Sequence, residues 1–190
     1  MRLDAAPRLR PARGEAGEAS VVIRRLGTEH LGAVTAIYRA QIASGFGSLE
    51  DPLPDEAEMG RRLADVLSLG LPALAATDAD GDVLGYGWVT PFRLRAHYDH
   101  TVEDSLHVAA TSRGRGIGRQ LLVGLIAAAT AAGCRQMIAV VGDARNRASI
   151  RLHETCGFVG AGWFPGVGCK EGKPTDVVML QRSLGRPGRR

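Results

Sequence analysis

Lysine is almost missing from this chain of 190 residues: Lys170 and Lys173 are the two present, and arginine carries the rest of the formal positive charge. The net charge of +4 is not spread along the chain. The first twenty residues hold four Arg against one Asp and two Glu, and the last six hold three Arg, which leaves the middle neutral. A nucleic-acid-binding domain concentrates basic charge on its folded body, so nucleic acid is not an expected partner. Cysteine is scarce too. Cys134, Cys156 and Cys169 are odd in number and far apart, with no Cys-x-x-Cys pair and no Cys/His ligand cluster. The pattern argues against a disulfide framework and against a structural zinc site, and no metal is expected. A reducing cytoplasm is the expected compartment. No apolar signal core stands at the N-terminus. The longest apolar run, residues 121–132, is broken by Gly124 and Thr130 and is too short to span a bilayer, so no membrane role is expected.

What is present is an ordinary globular composition, with 45% hydrophobic and 23% charged residues. The length fits one domain with a sizeable core. Residues 1–20 are rich in Ala, Arg, Gly, Pro and Glu and have no apolar period, so they read as a mobile tail. Residues 185–190 read as a second, basic tail, and 21–184 as a single domain with no repeat or linker.

Along the domain, residues 21–23 predict a short strand. Thr28 is placed to cap a helix reaching Ala43, with Leu31, Val34, Ile37, Tyr38 and Ile42 on one face. A loop over 46–54 precedes a second helix over 55–69, with Met59, Leu63, Val66 and Leu67 inward. Strands are predicted over 72–77 and 83–89, joined by the hairpin signal Asp80-Gly81. A polar, Arg-rich loop over 91–100 leads to an alternating strand over 102–109. A helix over 114–132 ends at Gly133. A buried-type strand over 136–141, a short helix over 146–156 and two closing strands over 159–167 and 177–180 complete the order. That order is an α/β protein with a mixed sheet.

The most informative stretch is the junction where a strand ends at Val108 and a glycine-rich loop opens a helix: Arg113-Gly114-Arg115-Gly116-Ile117-Gly118. Successive N–H groups at such a junction converge on one concavity, and the helix dipole adds positive potential. Glycine lets the backbone approach an anion closely. This is chemistry for a pyrophosphate. No Gly-Lys-Ser/Thr follows, so it is not a Walker loop, and it does not follow a first strand as a dinucleotide fingerprint would. Taken alone, the pattern favours a plain strand-to-helix turn.

It is not alone. The stretch resembles the acetyl-coenzyme A loop of the GNAT N-acetyltransferases, whose pattern is Arg or Gln followed by x-x-Gly-x-Gly or Ala. The segment Asn146-Arg-Ala-Ser149-Ile-Arg-Leu-His153-Glu-Thr-Cys-Gly157-Phe158 resembles the second signature of that superfamily. More closely, four ordered segments resemble the phosphinothricin and methionine sulfone/sulfoximine acetyltransferase family. They are Pro91-Phe-Arg-Leu-Arg95, Tyr98-Asp-His-Thr-Val-Glu103-Asp-Ser105, Arg151-Leu-His153-Glu154 and Gly168-Cys-Lys170-Glu-Gly172-Lys-Pro-Thr-Asp176.

The resemblance implies a GNAT fold: a mixed, mostly antiparallel sheet of six to seven strands with helices on both faces. It implies acetyl-coenzyme A as cosubstrate, set in a splay between two parallel strands. Main-chain groups of Leu106, His107 and Val108 would meet the acetyl and pantetheine parts, residues Arg113, Gly114, Arg115, Gly116, Ile117 and Gly118 the pyrophosphate, and Asn146 the coenzyme beyond the next strand. The reaction is attack of a neutral amine on a thioester, so the amine must lose a proton and the leaving thiolate must gain one or be stabilised. Glu103 matches the family's proposed base, with Asp104, on the other strand face, as the fallback. His153 occupies the slot of the family's acid; it also fits a His packed between helix and sheet. His107 replaces the family's usual Tyr and reads as a strand-filling residue. Phe46, Arg93 and Arg95, together with Glu103, would meet a small amino-acid-like amine substrate. Cys169 and Pro174-Thr175 depart from the family pattern and are expected to reshape the acceptor pocket. A homodimer is implied as well. Two other readings stay open: an acetyltransferase for a protein N-terminus, polyamine or aminoglycoside, and a coenzyme A sensor without turnover.

Overall fold

The computed structural model describes residues 20–43, 52–170 and 172–185. The expected tails, apart from Ser20 and Gly185, lie outside the described residues, as do Phe46 and most of the loop expected around it.

Seven strands form one sheet in the order β1-β2-β3-β4-β5-β7-β6. They are β1 (Val22–Arg25), β2 (Ala73–Thr77), β3 (Val83–Pro91), β4 (Thr101–Val108), β5 (Gln136–Val141), β6 (Val159–Lys170) and β7 (Lys173–Ser183). All neighbouring pairs are antiparallel except β4 with β5. The four helices are α1 (Leu31–Ala43), α2 (Glu56–Ser68), α3 (Ile117–Ala131) and α4 (Arg147–Thr155). No helix among the described residues is long and apolar enough to cross a membrane.

The helices cover both faces. Helix α1 buries Val34, Tyr38 and Ile42 at helical spacing, and α2 buries Met59, Leu63 and Val66. These pack with Ala73, Ala75, Tyr86 and Trp88 on one face of the sheet. On the other face α3 sets Leu122, Leu125 and Ala129 against Val89, Val102, Met137 and Ala139. Full burial of each such leucine contributes about 1.5–3 kcal/mol. Gly87 is what lets α3 lie this close. A Cβ there would sit 2.9 Å from Leu125 Cδ1 and 2.9 Å from the Ser105 carbonyl oxygen.

Several boundaries differ from the sequence expectation. The first helix is preceded by a 3-10 turn over Thr28–His30, and Thr28 does not cap it; the Gly27 N–H donates to His30 Nδ1 at 3.0 Å instead. The second helix is capped as a carboxylate at its N-terminus should be, with Asp55 accepting from the Glu58 N–H at 2.8 Å. The third helix starts at Ile117 rather than 114, because Gly114 and Gly116 both take the left-handed conformation, φ +77°. The closing strands are longer than expected. They pair from Val159 with Gln181 to Lys170 with Lys173, with register shifts that accommodate the glycines.

Candidate active site

The site begins where two strands part. β4 and β5 are in parallel register from Thr101 with Gln136 to Asp104 with Ala139, and there the pairing stops. β4 runs on to Val108, still paired with β3 through Gly85. The edge of residues 105–108 that faces β5 is therefore free of sheet partners and lines an opening. A cavity of about 290 Å³ fills it, walled by Glu103, Asp104, Leu106, His107, Ala139 and His153 among others. A second cavity of about 540 Å³ adjoins it, with Gln41, Leu106, Asn146 and Ser149 common to both walls. The second cavity reaches the glycine loop: Val108, Arg113, Gly114, Gly116, Ile117 and Gly118 line it.

The loop's geometry suits an anion. Helix α3 has no side-chain cap, so the N–H groups of its first turn lack side-chain acceptors. Nothing lies within 4 Å of where a Cβ would be at Gly114 or Gly116, so the cradle is open. Arg113, Arg119, Arg145 and Arg147 stand on the same wall. Asp143 holds Arg145 there, accepting from its Nη2 at 2.8 Å and from its backbone N–H at 2.8 Å. The guanidinium beside Asp143 holds that carboxyl below its ordinary range. Arg115 is exposed and is not on this wall. Asn146 caps α4, its Oδ1 accepting from the Ser149 N–H at 3.2 Å. These features fit the pyrophosphate and arm of acetyl-coenzyme A.

Strand alternation divides the chemistry of β4 between two faces. Glu103, Ser105 and His107 stand opposite Thr90, Trp88 and Tyr86, toward α1 and α2. Asp104 stands opposite Val89, toward α3 and α4. Burial raises the Glu103 pKa, the neighbouring Asp104 charge raises it further, and Arg93 opposes both. A carboxylate moved toward neutrality is a better proton acceptor near neutral pH. Glu103 also borders an adjoining hollow of about 280 Å³ with Arg62, Asp65, Trp88 and Thr90, on the α2 side.

His107 is buried and neutral: burial pushes its pKa down to about 4. Its Nε2 lies 3.1 Å from Ser105 Oγ and its Nδ1 3.1 Å from Gln41 Oε1. The ring stacks on Tyr86 at 5.1 Å and meets Tyr38 edge-on at 4.9 Å. Its side chain thus joins α1 to β4 beside the cavity, more than the strand-filling role expected from sequence.

His153 and Asp104 form the pairing that sequence reasoning did not anticipate. His153 Nε2 lies 3.0 Å from Asp104 Oδ2, and Nδ1 donates to the Ser149 carbonyl oxygen at 2.8 Å. The side chains are 6% and 2% exposed. Burial lowers the His153 pKa, but the Asp104 hydrogen bond and charge and the Ser149 carbonyl together outweigh it, and the net shift is upward. Asp104 was singled out in sequence only as a fallback base. Its partner lies 49 residues away on α4, and no local spacing signals such a contact. Gln41 and Ser149 were likewise not singled out, although both line the junction of the two cavities.

Glu103 and His153 thus share one cavity. Arg93 and Arg95 do not line it. They flank a surface hollow with Leu94 and Tyr98, and the Arg93 guanidinium sits 4.4 Å from the Phe92 ring centroid. Arg93 nevertheless acts electrostatically on Glu103. Cys169 is exposed on β6, opposite Pro174.

A family model described as acetyltransferase (GNAT) family matches residues 34–158. The chain is 44% identical over 170 residues to a phosphinothricin N-acetyltransferase of Alcaligenes faecalis, covering 90% of this chain and 86% of the relative. It is 35% identical over 165 residues to the L-methionine sulfoximine/L-methionine sulfone acetyltransferase of Pseudomonas aeruginosa, covering 87% and 95%. Among solved structures, a phosphinothricin acetyltransferase from Sinorhizobium meliloti in complex with AcCoA matches with TM-score 0.85 and 38% identity, covering 88% of this chain and 90% of that one.

Proposed function

Because the chain belongs to the acetyltransferase (GNAT) family, we propose that it transfers acetyl from acetyl-coenzyme A to the amino group of a small amino-acid-like acceptor. The acceptor class is that of phosphinothricin, methionine sulfone and methionine sulfoximine. The observation that carries this reading is the splay beyond Asp104 and Ala139, which opens on two adjoining cavities that reach from Glu103 to the glycine loop and share Gln41, Leu106, Asn146 and Ser149.

Acetyl-coenzyme A supplies an activated thioester. The loop from Arg113 to Gly118 holds its pyrophosphate, with Arg115 contributing charge from outside the wall, and Asn146 borders the arm. The free main-chain edge at Leu106 and Val108 meets the acyl end and offers N–H donors to the oxyanion, while the main chain of His107 turns to β3. Glu103 takes the proton of the acceptor ammonium, directly or through one water. His153 borders the same cavity and is the candidate for stabilising the developing thiolate. No covalent enzyme intermediate is required, and attack is direct. Arg93 and Arg95 attract the acceptor's anionic groups from the loop before β4.

The same reading makes the protein a cytoplasmic homodimer. β6 is an edge strand whose Val159, Trp163, Phe164 and Val167 are exposed, Trp163 to 64%. Such an apolar edge is stable when covered.

The test is release of coenzyme A thiol with acetyl-coenzyme A and a panel of phosphinothricin, methionine sulfone, methionine sulfoximine and ordinary amino acids. Selective turnover of the first three is expected. No turnover above hydrolysis with any of them would overturn the acceptor assignment.

A further inference from the structure

The Asp104–His153 contact joins two elements that have no other buried charge between them among the described residues. Its hydrogen bonds favour a charged ring. The Ser149 carbonyl only accepts, so His153 Nδ1 carries a proton. In a neutral ring the remaining nitrogen, Nε2, would then be bare and would face the Asp104 carboxylate oxygen lone pairs at 3.0 Å. An imidazolium removes that conflict by donating from both nitrogens. Asp104 Oδ1 has no hydrogen-bond partner and is shut off from solvent, so the carboxylate depends on the ring for its compensation. Asp104 is the charged group acting on the ring. The Phe158 ring meets it edge-on at 5.0 Å, and Glu103 and His107 project from the opposite face of β4.

The location of this pair matters. Asp104 is the last residue of β4 in register with β5, the point from which the strands diverge. His153 is one turn along α4 from Ser149, which with Asn146 forms the α4 side of the wall common to both cavities. A tie between Asp104 and His153 therefore sets how far that wall stands from β4.

We propose that Asp104 is a positioning residue: with His153 it forms a buried carboxylate–imidazolium pair that fixes α4 against β4 at the apex of the splay and so sets the width of the coenzyme A channel. This rests on the reading of the splay as the acetyl-coenzyme A site. Both protons of the ring are held in the resting enzyme, so His153 acts as a fixed charge and not as a free titrating acid.

The experiment has two arms. Nitrogen-15 NMR of the histidine rings in the full chain reads the charge state directly. Both His153 nitrogens are expected to be protonated at pH 7.5, and Asp104→Asn is expected to return the ring to a neutral form with the proton on Nδ1. A neutral His153 in the unsubstituted protein, or a ring unchanged by Asp104→Asn, overturns the pair. Calorimetric titration with coenzyme A itself reads the channel without any acceptor. Asp104→Asn is expected to weaken coenzyme A binding roughly tenfold. Unchanged binding despite the lost ring proton overturns the positioning role. If Asp104→Asn does not fold, the ring measurement on the unsubstituted protein still decides the pair, and His153→Gln replaces it in the titration with the same expected loss. Failure of the unsubstituted protein to bind coenzyme A would overturn the reading of the site itself, and the channel role with it.

Discussion

Glu103 and Asp104 are neighbours on β4, point to opposite faces of the sheet, and border the same cavity. The cavity lies in the gap between β4 and β5, so residues of both faces reach its rim. The proximity raises the Glu103 pKa beyond what burial does. Glu103→Gln removes the proton acceptor and keeps the shape. We expect kcat to fall on the order of 100-fold or more, the range for loss of a positioned base, with acetyl-coenzyme A affinity within about twofold. Steady-state kinetics at saturating acetyl-coenzyme A checks it, and near-normal kcat would remove Glu103 from the base role.

His107 makes the fold sensitive to acid. Its folded pKa of about 4 lies below the ordinary 6.5. Above 6.5 neither state carries the proton and no penalty exists. As pH falls from 6.5 to about 4, the unfolded chain takes up a proton that the folded chain refuses, so stability declines over that window. The decline is on the order of 3 kcal/mol for this group. His107→Gln gives up the ring contacts with Tyr86 and Tyr38 and is expected to be less stable at pH 7.5. Its stability should fall less steeply between pH 6.5 and 4, as urea denaturation at several pH values will show. Equal slopes in the two proteins would contradict the assignment.

Gly116 tests the anion cradle. Its φ of +77° lies where β-branched side chains are strongly disfavoured, although open space surrounds the Cβ position. Gly116→Val is therefore opposed by backbone strain of about 1–2 kcal/mol rather than by a clash. Relief of that strain would rotate the loop N–H groups away from the cavity. We expect the KM for acetyl-coenzyme A to rise tenfold or more while the fold persists by circular dichroism. Unchanged coenzyme affinity would contradict the loop's assignment.

The legible parts of the sequence were those with local signatures. Apolar spacing in α1 and α2 located both helices, and the glycines marked the loop, though not that left-handed Gly114 and Gly116 delay α3 to Ile117. The splay between two parallel strands followed from resemblance. What stayed hidden were contacts made across the fold. Asp104 looks like a strand carboxylate until α4 brings His153 to it, and His107 looks like filler until Gln41 arrives from α1. Burial and pairing of this kind depend on where distant elements meet, and no spacing within a segment encodes them.

Arg93 lies outside the central cavity, yet its charge reaches Glu103, and these two facts give a prediction with two signs. As the anchor for an anionic acceptor, Arg93 should govern acceptor binding: Arg93→Ala is expected to raise the acceptor KM roughly tenfold and leave the acetyl-coenzyme A KM unchanged. As a cation acting on Glu103, Arg93 pulls that pKa down against burial and the Asp104 charge. Without it the Glu103 pKa rises further. Glu103 must be ionised to take a proton, so the acidic limb of the kcat/KM profile should move to higher pH in Arg93→Ala. The guanidinium packed on Phe92 is exposed, so little stability should be lost with it. A raised acceptor KM with an unmoved acidic limb would leave Arg93 as an anchor with no influence on the base, and a moved limb with an unchanged KM would place the acceptor's anionic group elsewhere.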